Sequence, residues 1–229
     1  MTIVELSTDR PVGKNIDYRA ELIRKTIHLC SLSIPVIYYF ISREQALMLL
    51  LPVTAVFLAV DLLRYFHEPT AKLFYSSFGR LLRSHEHDHA TKRLSGATHV
   101  LISGALCVLV FPKLITITAF AILIISDSAA ALIGRRFGRR KFLNKSVEGS
   151  AAFFLTALVV IAVTPKISAG PGEYLIAVVA AAFGTVVEAL SVGIDDNLSI
   201  PLSIGAVMWL LYDIFYPSLN LYIQHIAGL

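Results

Sequence analysis

Four acidic residues interrupt long apolar stretches of this chain: Asp61, Asp127, Glu188 and Asp213. A carboxylate at the centre of a membrane helix costs about 2.5–3.5 kcal/mol on insertion scales, so such residues are candidates for function. Asp127 has the richest surroundings. Ser126, Ala130, Gly134 and Gly138 recur every four residues, which on a helix makes a smooth ridge that another backbone can approach. The ridge runs into Arg135, Arg136, Arg139, Arg140 and Lys141, then into Asn144, Lys145, Ser146, Val147, Glu148 and Gly149. That last segment reads as the start of a helix. Its free N–H groups, the positive helix end, Lys145 and the Ser146 hydroxyl suit a phosphate, and Gly149 leaves room for a ligand. Carboxylates beside a phosphate-binding helix start are what phosphoryl transfer requires: acids to hold Mg²⁺ on phosphate oxygens and cations to offset the moving charge. No Walker loop or protein-kinase loop is present. Plainer roles exist for some of these residues. Asp61 has Arg64 one turn on as a partner, and loop cations set orientation or meet anionic lipids.

The elements that must position these residues follow from composition. The 229 residues are 56% hydrophobic and 16% charged, with a mean hydropathy of +0.70. That leaves too little polar surface for a soluble enzyme and too much apolar content for disorder. The apolar runs predict an all-α polytopic membrane protein of about seven spans. The runs are 26–41, 45–66, 96–111, 114–133, 147–163, 174–192 and 200–216, with a basic loop over 134–144 and a short tail from 217. Residues 1–25 read as a cytoplasmic arm without the apolar core of a signal peptide, and 26–229 as one membrane domain. A polar, amphipathic stretch over 67–94 reads as interfacial. In this layout 17 of the 20 Lys and Arg residues fall on one side, and only Arg43, Lys113 and Lys166 on the other. The positive-inside rule makes the first side cytoplasmic, with the N-terminus inside and the C-terminus outside. Asp61, Asp127 and Glu188 then lie at similar depth near the cytoplasmic face, and Asp127 faces the basic loop rather than a Lys or Arg of a neighbouring span. Cys30 and Cys107 sit in apolar runs and read as small core residues. His85, His87 and His89 alternate in a polar stretch and read as solvated rather than as a metal tract. His28 shares a helical face with Arg24. His99 is a weaker candidate, and His67 and His225 carry no chemistry.

Asp127, Ala130, Gly134 and Gly138, followed after six residues by Lys145, Ser146, Glu148 and Gly149, resemble the CTP-binding motif of the dolichol kinase, phytol kinase and CTP-dependent diacylglycerol kinase family. Other pieces agree in order: Arg24, Lys25 and His28; Asp61 and Arg64; Glu86 followed by the LSGAT segment at 94–98; and Glu188 with Asp195, Asp196, Asn197 and Pro201. The likeness covers nearly the whole chain from Arg24. It implies transfer of the γ-phosphate of CTP, with Mg²⁺, to the hydroxyl of a membrane lipid alcohol, in an integral membrane protein of a cell inner membrane or an endoplasmic-reticulum-type membrane. On that resemblance Asp127, Glu188, Asp195 and Asp196 supply metal ligands. Gly134, Gly138, Lys145, Ser146, Glu148, Gly149, Arg24 and His28 hold the nucleotide. Asp127, Asp61 or Glu188 acts catalytically, and Arg64, Glu86 and Asn197 belong to the shared pattern. Ser146 stands where some members have a second lysine. Glu148 and Gly149 look like the dolichol branch, whereas Lys145, Ser146 and the 195–197 region look like the phytol and diacylglycerol branches. The acceptor (polyprenol or dolichol, a phytol-like isoprenoid, or diacylglycerol) therefore stays open, and nucleic acid is not an expected partner. Two other classes remain: a membrane cytidylyltransferase that makes a CDP-lipid, and a secondary transporter. The missing internal repeat and the off-centre acids disfavour the transporter.

Overall fold

Between Leu114 and Ser126 the chain has no ionisable side chain, so a helix there can be buried on every side. The computed structural model describes residues 12–78, 94–190 and 193–222, and in it this stretch lies in the central helix. The described residues form α1 (Val12–Cys30), α2 (Ser33–Phe40), α3 (Arg43–Leu63), α4 (Glu68–Phe78), α5 (Gly96–Val110), α6 (Lys113–Phe137), a small hairpin of β1 (Lys141–Phe142) and β2 (Lys145–Ser146), α7 (Val147–Val163), α8 (Pro171–Leu190) and α9 (Asp196–Phe215). Helix α6 packs against α7, α9, α1, α2 and α5. Its Ala119, Ile122, Leu123 and Ile124 are wholly buried.

Helix α3 is the opposite case. Ala46 and Asp61 are its buried residues, and apolar side chains such as Met48, 74% exposed, cover the rest of its surface. A band of that extent has no place against water, and hydrocarbon accommodates it. Helices α3, α6, α8 and α9 are each long and apolar enough to cross a membrane, and α5 and α7 are apolar but shorter. The helical architecture expected from composition is thus present.

Local chemistry explains where elements differ from the sequence expectation. The first apolar run is broken at Ser31 and Leu32, between α1 and α2. Pro35 has no N–H to donate back to Ser31, and its ring crowds that carbonyl, so α1 cannot continue. Helix α1 also runs without interruption across residue 25, where sequence alone places the end of an arm. Helix α6 extends to Phe137, so Gly134 is helical rather than part of a loop. A Cβ on Gly134 would stand 3.1 Å from Ser146 Oγ and 3.4 Å from Gly149 Cα, so the glycine lets the start of α7 lie against α6. The hairpin turns through Leu143, whose φ of 52° is left-handed. The Asn144 N–H then donates to Ala189 O at 3.0 Å, and its side chain donates to Leu190 O. The hairpin tip thereby satisfies carbonyls that the end of α8 would otherwise leave unpaired. Cys107 is buried as expected, but Cys30 is exposed at the end of α1. Glu86 and the histidines at 85, 87 and 89 lie outside the described residues.

Candidate functional site

Three helices and the hairpin bring charge to one end of α6. On α1 the spacing of Glu21, Lys25 and His28 places them on one face, and that face meets α6. The Lys25 ammonium donates to Asp127 in a close ion pair, with the two residues 4% and 5% exposed. His28 Nε2 stands 3.8 Å from the same carboxylate oxygen. The expectation that Asp127 faces the basic loop and no cation of another helix is therefore corrected: its partner is Lys25, 102 positions away. Glu21, fully buried, holds Arg24 of its own helix and Arg135 of α6, the latter at 2.9 Å.

The hairpin delivers Lys145. Its Nζ lies 2.9 Å from Asp196 Oδ2 at the start of α9 and 3.3 Å from Glu188 Oε1 near the end of α8. Ser150 donates to the other Glu188 oxygen at 3.4 Å. Burial pulls the Lys145 pKa down, but the Asp196 and Glu188 carboxylates outweigh it and hold the ammonium above its ordinary value. Ser146 caps α7 by accepting from Gly149 N–H at 3.1 Å. The Glu148 carboxylate turns the other way and accepts from the N–H groups of Arg139 and Arg140 at 3.0 and 3.4 Å.

The ion pairs of Lys25 with Asp127, of Glu21 with Arg24 and Arg135, and of Lys145 with Glu188 and Asp196 line a cavity of about 450 Å³. It brings together Arg24, Asp127, Gly134, Lys145, Ser146, Gly149, Glu188 and Asp196, all sequence candidates, and adds Glu21, Lys25 and Arg135. Lys25 and Glu21 were missed as site residues, although their helical phase with His28 was readable. Gly149 faces the α6 backbone: a Cβ there would stand 3.1 Å from Ala130 O. It therefore serves the α6–α7 approach as well as the cavity. Gly138 and Glu148 lie off the cavity wall and shape the loop beside it. Asp195 is likewise apart. Its carboxylate caps α9 through Asn197 N–H at 3.0 Å and stands 3.9 Å from His99. Asp213 is exposed at the far end of α9.

A second cavity, of about 500 Å³, lies further along α1. Ile27, Val56, Phe57, Val60 and Val100 make its walls apolar, and Arg24, Lys25, His28, Asp61 and Asn197 stand at its polar end. Arg24 and Lys25 line both cavities. Asp61 is committed to holding helices together. Its Oδ2 accepts from Ser95 N–H at 2.8 Å and Thr98 Oγ1 at 2.5 Å, and its Oδ1 stands 3.3 Å from Arg64 Nε.

Among the described residues no group of three or more His, Cys, Asp or Glu side chains is arranged as a metal cage. Mg²⁺ does not need one. It commonly binds through one or two carboxylates together with substrate phosphates and water. Glu188 and Asp196, which converge on one ammonium, are a hard-oxygen pair of that kind. Asp195, held at the helix cap, is not part of it.

No family model matches the chain, and no solved structure matches it. It is 32% identical over 192 residues to an uncharacterized protein of Rickettsia prowazekii (strain Madrid E), an alignment that covers 83% of this chain and 94% of the relative. The chain belongs to the same family as that protein.

Proposed function

We propose that the protein is an integral-membrane kinase that transfers the γ-phosphate of CTP to the hydroxyl of a membrane lipid alcohol. One observation carries this reading: a cavity rich in cations and carboxylates and an apolar groove share the wall made by Arg24 and Lys25. A phosphate chain fits the first, a lipid tail the second, and the reacting atoms would meet at the wall. The motif resemblance supplies CTP as the donor.

In this reading Lys145 and the start of α7 bind the phosphates, and Arg24 and Arg135 offset their charge. Mg²⁺, held with the phosphates by Glu188 and Asp196, would neutralise charge on the transferred group. The lipid hydroxyl oxygen attacks the γ-phosphorus, the new O–P bond forms, and the bond from that phosphorus to the β–γ bridging oxygen breaks to release CDP. The hydroxyl proton passes to Asp127. Asp61 is the poorer acceptor, because it lines the groove but does not border the charged cavity. Lys25 orients Asp127 and is placed to meet the transferred group.

The membrane arrangement is part of the proposal. The α1–α2 pair, α3, α5, α6, α7, α8 and α9 make seven crossings, with the charged cavity on the cytoplasmic side. Reporters fused after Lys113 or Lys166 should read outside, and one after Arg140 inside. An inside signal at Lys166 overturns this orientation. For the chemistry, the purified protein is incubated with γ-labelled CTP, Mg²⁺ and a panel of lipid alcohols and lipid monophosphates. Label in lipid supports the kinase. Label in pyrophosphate makes the protein a cytidylyltransferase, and absence of turnover on every acceptor overturns both.

A further inference from the structure

Helix α4 packs most closely on α3, and Phe74 is its side chain on the groove wall. The Phe74 ring centroid lies 4.4 Å from the guanidinium carbon of Arg64, with the Tyr65 and Tyr75 rings at 4.8 and 5.9 Å. Arg64 is 1% exposed, so this cation sits against aromatic faces with little water to compete. Arg64 is in turn paired with Asp61, which is bonded to Ser95 and Thr98 of the α5 start. The ring is thus fastened, through two charged residues, to two of the helices that form the groove.

Its position along the groove follows from the same contacts. Asp61, Ser95 and Thr98 line the groove together with Arg24 and His28, and His99, one residue on, stands 3.9 Å from Asp195 at the start of α9, next to Asp196 of the charged cavity. Val56 and Phe57 lie a turn or more back along α3, in the apolar part. Phe74 therefore meets the groove beside the Asp61–Arg64 pair, toward the charged cavity, and not beside Val56.

We infer that Phe74 sets the class of acceptor: the groove admits a primary alcohol on a single apolar chain, and the ring shuts out a 1,2-diacylglycerol. In a diacylglycerol the second acyl chain branches from the carbon adjacent to the one that carries the hydroxyl, at the level of the ring. This inference rests on the acceptor-groove reading above.

The test separates binding from chemistry. A fluorescent single-chain primary alcohol is bound to the full-length protein in nanodiscs without nucleotide, then displaced by unlabelled single-chain alcohol or by dioleoylglycerol. For the unaltered protein the diacylglycerol should displace at least about tenfold more weakly, the scale on which an apolar pocket rejects extra bulk. Phe74→Ala should bring the ratio near one, Phe74→Leu should fall between, and Phe74→Trp should widen it. The Leu and Trp variants keep the test decisive if the Ala variant does not fold. Equal displacement from the unaltered protein, no binding of the probe, or one ratio across all variants overturns the inference. Phosphorylation of both lipids is followed in parallel. Selective displacement without phosphate transfer leaves the groove inference standing and removes the kinase reading. Transfer with an unchanged ratio does the reverse.

Discussion

The two ends of the helical bundle both bury charge, and they do so differently. At the end away from the cavity, Glu173 is 1% exposed. It accepts from the N–H groups of Ile167 and Ser168, from Ser168 Oγ at 2.5 Å and from Tyr212 OH at 3.1 Å. Lys166 donates to Ile161 O, Thr164 O and Thr164 Oγ1. Nearly all of these partners lie within six residues in sequence, and the two groups pin the turn between α7 and α8. At the other end, Lys25 reaches Asp127 across 102 positions and Lys145 reaches Asp196 across 51. Those pairs join separate helices and border a cavity. A cluster closed by its own turn has little left to offer a ligand. A cluster assembled from distant elements around open space can exchange one of its partners for a substrate.

The largest expected effect divides the two ends by what a broken charge does to chemistry. Asp127→Asn strands Lys25 in a buried position, which should cost about 3–5 kcal/mol of stability. Pairing Lys25→Met with Asp127→Leu should recover most of that loss, since both charges then leave together. Neither variant should phosphorylate lipid, because Asp127 and Lys25 border the reaction as well as each other. The readouts are melting curves in detergent and turnover with CTP. Turnover in the double variant would make the pair structural and erase the contrast. Glu173→Gln supplies the control at the far end: about 1–3 kcal/mol of stability lost through weakened charged hydrogen bonds, with turnover per folded molecule unchanged.

Next in size is Lys145→Ala. It leaves Glu188 and Asp196 facing one another without their shared cation. CTP affinity should fall about tenfold to a thousandfold, the equivalent of ~1.5–4 kcal/mol, while the helical fold persists. Calorimetric titration of CTP in the presence of Mg²⁺ reads this directly. An unchanged Kd would place the phosphates elsewhere, and the cavity would then be a second structural cluster like the one at Glu173.

How much of this was legible in the chain depends on distance in sequence. Apolar runs foretold the helices, because each run is a local property, and the small residues from Ser126 to Gly138 foretold a close helix approach. The break before Pro35 was equally local but was masked by uninterrupted hydropathy. Lys25 was seen as part of a motif yet not as the partner of Asp127, since no single sequence records which of several cations folds back onto a given acid. Glu173 carried no signal: at the head of α8 it looks like any interfacial acid. Only the turn through Ile167 and Ser168, together with Tyr212 from α9, buries it. The CTP and lipid chemistry rests on motif resemblance and on the meeting of the two cavities.

The smallest effect isolates the far end by pH. Burial pushes the Lys166 ammonium down to about 8, with Glu173 opposing the shift, against an ordinary value of 10.5. In the unfolded chain Lys166 keeps its proton until near the ordinary value. Between these limits the unfolded state therefore binds more protons than the folded state, and stability rises with pH. Below pH 8 both states hold the proton and Lys166 adds no slope. Lys145 is silent through the same window, because its folded pKa lies above the ordinary value. The Lys166 contribution to the melting temperature from pH 7.5 to 10 should be a climb of a few degrees, on the scale of roughly 1 kcal/mol in a chain of this size. Lys166→Met should flatten that climb. Saturating CTP and Mg²⁺ should raise the whole curve without changing its slope, since the ligand acts at the opposite end. A slope that survives Lys166→Met would assign the titration to another group, and a slope that changes with nucleotide would show that the two ends are coupled.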